Sequence, residues 1–321
     1  MLFITELFII LIIFFIFNKY NILIGTKFSL IDKNKNVPLL GGIFLLIALV
    51  LNLFHLYQYN MLSSNHLIIF YFLISMFFIS ILDDKFNLSP LLRLFLCTFI
   101  IVIFFIQSGF IIKTLNFKYF GIFFFPENIF ITYFFSIFCI IVLIHAYNFV
   151  DGINGLALFV GSVWFLYIAF KLPYIIETYS ILFLFILFSL YLNLTNKIFL
   201  GDSGNYIISS LLGVIIIKEN LSDPSLFYVE EILLLFLIPG VDLIRLFFLR
   251  IKEKRNPLNG DFNHLHHLLI RRYSLFKSLL IYILLISIPL IVFIFNEEFL
   301  IYLITLKIFI NFILIKNLKK F

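Results

Sequence analysis

The sequence predicts an all-α polytopic membrane protein of about eleven transmembrane helices, and three observations carry that prediction. Of 321 residues, 63% are hydrophobic and only 12% are charged, whereas a soluble domain carries about 25% charged residues. Apolar runs recur along the whole chain, each near the roughly 20 helical residues needed to cross a hydrocarbon core. Those runs are continuous rather than alternating, which argues against a membrane β-barrel.

The expected spans are 2–18, 38–56, 66–82, 91–107, 127–146, 154–170, 175–193, 203–217, 229–249, 277–295 and 299–316. The eighth is short, and 110–125 reads as an extended or interfacial excursion as well as a plain loop. No internal repeat or low-complexity linker divides the chain, so residues 1–321 are expected to form a single integral membrane domain. The opening Met1–Glu6 lacks the basic region of a signal peptide and is expected to be retained as the first span. Cys97 and Cys139 lie inside apolar segments, which implies neither a disulfide framework nor a thiolate metal site.

Basic residues set the expected orientation. Eighteen Lys and Arg fall on one side of the predicted helices, eight of them between Arg245 and Lys277. The opposite loops hold four: Lys113, Lys118, Lys171 and Lys218, with Lys307 inside the last span. The richer side is therefore expected in the cytoplasm, with the N-terminus outside and the C-terminus inside. The net charge of +6 is then a topology signal and no reason to expect nucleic acid as a partner.

The densest polar clusters all fall in loops of that same side, near 83–90, 148–156, 197–205 and 250–276. They contain Asp83-Asp84-Lys85, then Asn148 to Gly155, then Gly201-Asp202-Ser203-Gly204-Asn205, then Asp261 to His267. Each has a plain structural reading. The acidic pair suits a solvated helix end, with Ser89 capping the next helix. Asn148, Asp151 and Asn154 lie three apart, which on a helix makes one polar seam, and Ser203 reads as a helix cap. Four such clusters on one face are harder to dismiss, because acids at span ends are costly and tend to be functional. Hard carboxylate and amide oxygens suit Mg²⁺ or Mn²⁺, which binds through one or two carboxylates plus substrate phosphates. Three near-adjacent imidazoles suit a diphosphate better than Mg²⁺, with a zinc site on His264, His266 and His267 as the alternative. Carboxylates, a divalent ion and basic donors together describe phosphoryl transfer.

The order of these motifs is informative. Asp83-Asp84 is followed by Leu88, Pro90 and Arg93, then by Asn-x-x-Asp-Gly-x-Asn-Gly-Leu over 148–156, Gly-Asp-Ser-Gly from 201 and His-x-His-His from 264. With an early Pro-x-x-Gly-Gly at Pro38 and Gly41-Gly42, the chain resembles the polyprenyl-phosphate N-acetylhexosamine-1-phosphate transferase superfamily, the WecA/MraY-like glycosyltransferase family 4 enzymes. The resemblance implies a Mg²⁺-dependent transfer of a sugar-1-phosphate from a UDP-N-acetylhexosamine to polyprenyl phosphate, releasing UMP. It implies a bacterial inner-membrane setting, and a homodimer is compatible with it. Asn148 and Asp202 match Mg²⁺ ligands; Asp83, Asp84 and Asp151 match acids of the catalytic cleft, the first two beside the lipid phosphate. Asn154 matches a uridine contact, and His264, His266 and His267 match the loop over the sugar-diphosphate.

Three departures from the family pattern stand out: Asn154 where bacterial members have Asp, Phe262 where an Arg is usual, and no early Arg-Lys-x-His. The His-x-His-His form favours the WecA-like branch over the phospho-N-acetylmuramoyl-pentapeptide transferases, whose histidines are contiguous. An ion-coupled transporter is the rival class, but such proteins place ionisable groups near the midplane in paired repeats.

Overall fold

The computed structural model describes residues 37–126, 128–257 and 261–318, with every side chain there except that of Asp84. Eleven helices follow one another in this region: α1 Gly41–Gln58, α2 Ser64–Phe86, α3 Pro90–Ser108, α4 Ile129–Asn148, α5 Leu156–Lys171 and α6 Tyr174–Leu194. After them come α7 Gly201–Ser222, α8 Val229–Lys252, α9 Leu265–Arg272, α10 Leu275–Phe295 and α11 Leu300–Leu318. Eight are long and apolar enough to cross a membrane; α5 falls short in length, and α7 and α9 are the other two not counted. The protein is a polytopic membrane protein. The expected span 2–18 lies outside the described residues.

The predicted boundaries hold to within a few residues, with informative exceptions. The eighth span is not short: the helix α7 has 22 residues, starting two residues before the expected span and running five beyond it to Ser222. Segment 110–125 is an antiparallel hairpin, β1 Thr114–Phe117 with β2 Gly121–Phe124. The supposed loop 250–276 contains α9, and Arg245 lies well inside α8, which runs on to Lys252.

The core is built around α7. Every residue from Gly201 to Ile217 is buried, as expected of a helix surrounded by others rather than by lipid. Small residues let the neighbours close in: Gly213 lies against Ile140 and Leu143 of α4, and Gly161 of α5 against Tyr147. Outer helices instead turn Phe and Ile outward, as α3 does with Phe95, Phe99 and Ile106, which suits a hydrocarbon solvent.

Polar locks also form away from the four polar clusters. Glu231, fully buried at the start of α8, accepts from the Tyr167 hydroxyl at 2.5 Å and from Lys171 at 3.2 Å. The hairpin is tied down by the Lys118 N–H on Glu230 at 3.1 Å, the Lys118 ammonium on Glu297 at 2.9 Å, and the Tyr119 hydroxyl on the Glu298 carbonyl. Lys307, buried in α11, donates to the Leu234 carbonyl of α8 at 2.7 Å.

At the other end the Pro38-x-x-Gly41-Gly42 stretch pairs with the residues leading into α7. Phe199 N–H donates to the Pro38 carbonyl, while Gly41 and Gly42 N–H donate to the Phe199 and Leu200 carbonyls, all within 2.9–3.1 Å. A Cβ on Gly42 would fall 2.8 Å from the Gly204 nitrogen and collide with Ser203. Only glycine permits this approach, and it fixes the start of α7. Gly42→Ala is therefore expected to lower stability by about 1–3 kcal/mol, the usual range for overpacking. Gly240→Ala, where an added Cβ meets nothing within 4 Å, should be neutral or slightly stabilising by up to about 1 kcal/mol. Thermal unfolding in one detergent compares the two; equal effects would remove the steric account.

Candidate active site

The turn between α2 and α3 shows how local rules place a charged pair. Asn87 takes the left-handed conformation at φ 50° and ends α2, its N–H bonding to the Asp83 carbonyl. Ser89 then caps α3 through the Leu92 N–H, as expected, with Pro90 as its first residue. The reversal sets Arg93, one turn into α3, against Asp83, one turn from the end of α2. Arg93 Nη1 lies 2.7 Å from Asp83 Oδ2 and 3.3 Å from Asp202 Oδ2. One guanidinium thus ties together the ends of α2, α3 and α7. The acidic pair belongs to the last turn of α2, not to a loop, and the side chain of Asp84 lies outside what is described.

Asn148, Asp151 and Asn154 do not share a helix. Asn148 is the last residue of α4, and 149–155 form a tight turn ending at Gly155 with φ 84°. Their polar groups are gathered by α7 and α6 instead. The buried Asn205 amide donates to Asn148 Oδ1 at 3.0 Å and to Asp151 Oδ2 at 2.9 Å. Asn205 stands three residues after Asp202, on the same face of α7. Asn154 is turned toward the loop after α6, its amide donating to the Asn196 side chain, while the Gly155 N–H donates to Asn193. Ser203 is no cap: Leu200 occupies that position and makes no side-chain capping bond.

The histidine segment is organised by Asp242 of α8. Asp242 Oδ2 accepts from the Leu265 N–H at 3.1 Å and faces His264 Nδ1 at 3.0 Å. Its other oxygen accepts from Arg245, which also donates to the Asn263 carbonyl at 2.6 Å. Arg250, almost fully buried, holds Asp261 at 2.8 Å and the Pro257 carbonyl at 2.9 Å. The same guanidinium lies over Phe149, whose ring is 5.0 Å from that of His264. The histidines therefore sit on the 149–155 turn. An added Cβ on Gly152 would strike His266 and come within 2.8 Å of His267 Cε1.

Four separate sequence clusters thus meet at one end of the bundle. Asp242, Arg245, Arg250 and Asn205 carry this arrangement, and none was singled out for it by sequence. The available signal was an Asp and an Arg three apart inside an apolar helix, and an Asn one turn after Asp202.

Among the described residues no three His, Cys, Asp or Glu side chains surround a common point. The imidazoles pack on one another at centroid separations of 4.2–6.1 Å, with only His264 and His266 stacked, so the zinc alternative finds no support there. Hard oxygens fit a different ion. Asp202, the Asn148 and Asp151 oxygens held by Asn205, and the buried, unpartnered Asn205 Oδ1 form the oxygen-rich surroundings that Mg²⁺ uses with substrate phosphates.

Burial, reinforced by the neighbouring imidazoles, pushes His266 well below its usual range; burial with His264 and Arg271 brings His267 down to about 4. Asp261 is opposed by burial, but Arg250 and the Asn263 N–H more than offset it and leave its pKa lowered. Both rings are therefore neutral at pH 7, and His266 Nε2 and His267 Nδ1 have no hydrogen-bond partner. Because the folded pKa lies below the unfolded value, the unfolded chain takes up protons first as pH falls. Stability present above about pH 6.5 should be lost toward pH 4, at no more than about 1.4 kcal/mol per pH unit for each ring. Ring-proton NMR should find His267 titrating near 4, and a midpoint near 6.5 would show the ring to be solvated.

Residues 66–220 match the family described as Glycosyl transferase family 4. Curated relatives bear the name undecaprenyl-phosphate alpha-N-acetylglucosaminyl 1-phosphate transferase. The Escherichia coli K12 protein is 26% identical over 214 residues, covering 60% of this chain and 55% of its own length. The Salmonella typhi protein is 24% identical over 279 residues, covering 77% and 71%. The Thermotoga maritima protein is 27% identical over 226 residues, covering 66% and 64%. This chain thus spans little more than half the length of its Escherichia coli relative. With the motifs gathered in order at one end of the bundle, the chain is similar to glycosyl transferase family 4 over residues 66–220, just under half of its length.

Proposed function

We propose that the protein transfers an N-acetylhexosamine-1-phosphate from a UDP-sugar to a polyprenyl phosphate at the cytoplasmic face of a bacterial inner membrane. The observation that carries this reading is the convergence of the 83–93, 148–154, 201–205 and 264–267 segments on one another. Asp202 and the Asn148 amide oxygen would hold Mg²⁺, which when bound neutralises the diphosphate and the departing UMP. The polyprenyl tail stays in lipid and its phosphate reaches the ends of α2 and α3. A phosphate monoester has a second pKa near 6, so this nucleophile is largely dianionic at neutral pH. Asp83 and Asp84 then orient it or take up its remaining proton. Asp151, aligned by Asn205, borders the oxygens of the metal site. Neutral His266 and His267, with unpartnered ring nitrogens, are suited to meet the sugar-diphosphate, and His264 is held by Asp242.

The departures from the family pattern bear on sugar and nucleotide choice. Asn154 donates to Asn196, a bond that a carboxylate at 154 could not make. The Arg271 guanidinium donates to the Phe262 carbonyl at 3.0 Å, so a cation borders position 262 although its side chain is apolar.

Two measurements test this reading. UMP release from UDP-N-acetylglucosamine should require both Mg²⁺ and polyprenyl phosphate, and Asp202→Asn should abolish it while the protein stays folded. Turnover without the lipid acceptor would point to another reaction. Single cysteines in 250–257 should resist a membrane-impermeant reagent applied to intact cells, whereas positions 223–228 should react. Labelling of the first set from outside would place the site on the wrong face for cytoplasmic UDP-sugars.

A further inference from the structure

From the Arg93 geometry we infer that this guanidinium is an internal stand-in for the divalent cation, holding Asp83 and Asp202 together until metal displaces it. The inference rests on reading Asp202 as a metal ligand. Two buried carboxylates from different helices meet one cation here, at 2.7 and 3.3 Å from a single nitrogen, Nη1. Without that charge they would repel in a poorly solvated place, and like charges at short range are strongly destabilising where the dielectric is low.

The arrangement is also unbalanced in a way that suits displacement. A guanidinium can grip a carboxylate through two parallel N–H donors, yet both contacts here come from Nη1. Arg93 Nε is buried with no acceptor. The longer of the two contacts is the one to Asp202. A divalent ion at Asp202 would compete with the guanidinium for that oxygen and repel it, while the shorter Asp83 pair would keep Arg93 anchored. Arg93 would then turn unspent donors toward incoming phosphate oxygens. It acts as a positioning residue: it stabilises the metal-free site and weakens metal binding until substrate arrives.

The consequence runs against the ordinary expectation that losing an active-site residue weakens ligand binding. Arg93→Gln should bind Mn²⁺ about tenfold more tightly than wild type, the equivalent of about 1.4 kcal/mol. It should unfold at a lower temperature in EDTA and gain more from Mn²⁺ than wild type does. Arg93→Lys, which keeps the charge, should stay within about twofold of wild-type Mn²⁺ affinity. Mn²⁺ binding by electron paramagnetic resonance and thermal unfolding with and without metal, on purified full-length protein in nanodiscs, give both readouts without turnover. R93Q recovered only in the presence of Mn²⁺, and unfolding on chelation, would support the stand-in role. Equal instability with and without Mn²⁺, or unchanged or weaker Mn²⁺ affinity in R93Q, would overturn it. Asp202→Asn separates the two ideas. Loss of Mn²⁺ binding there with no gain in R93Q sinks only the role of Arg93. Wild-type binding in D202N sinks the metal assignment and the stand-in role with it.

Discussion

The site depends on one constraint: α7 is buried on all sides, yet its first turn carries Asp202, Ser203 and Asn205. A polar turn enclosed by helices must find its partners in them, because an unpaired buried group costs several kcal/mol and water is excluded. The partners come from several neighbouring elements. Arg93 of α3 bridges Asp202 to Asp83 of α2, and Asn205 reaches Asn148 and Asp151 beyond the end of α4. Gly41 and Gly42 let the start of α1 pair with residues 199 and 200. The demand for satisfied polar groups and the assembly of a candidate catalytic centre are one event in this fold.

The histidine segment is joined to that centre by a second layer. Asp242 is the hub, binding a backbone N–H, an imidazole and a guanidinium that in turn holds the Asn263 carbonyl. Arg250 repeats the device with Asp261 and stacks on Phe149. Two arginines of α8 thus convert an eight-residue helix and its approach into a fixed wall over the 149–155 turn. Gly152 marks the contact, since any side chain there would enter the imidazoles. A wall held this way leaves the neutral nitrogens of His266 and His267 unspent, and unspent buried donors and acceptors are what a polar ligand replaces.

Charge is used differently at the two ends of the bundle. At the end bearing Glu230, Glu231 and Glu297, the acids are matched by Lys118, Lys171 and a tyrosine hydroxyl. Those contacts tie the hairpin and the helix ends together. At the other end the acids share cations and amides, and several polar atoms keep spare capacity. That contrast is why the candidate site is placed at the second end.

Composition and periodicity by themselves determined the membrane class and most helix positions, because a helix spanning hydrocarbon needs a continuous apolar run that any reader of the chain can see. Spacing alone also revealed the four polar clusters and their common side, since turns such as Asn87-Leu88-Ser89-Pro90 follow local rules. Tertiary structure decided which of those residues touch. Asn148, Asp151 and Asn154 look like one helical face in sequence, yet the first two are joined by Asn205, 57 and 54 residues away, and the third turns to Asn196. Asp242 and Arg93 show the same limit: each has one partner close in the chain, but Asp242 also binds His264, 22 residues on, and Arg93 binds Asp202, 109 residues on. Hydrogen bonds and ion pairs act over about 3 Å in space, a distance that sequence separation does not encode.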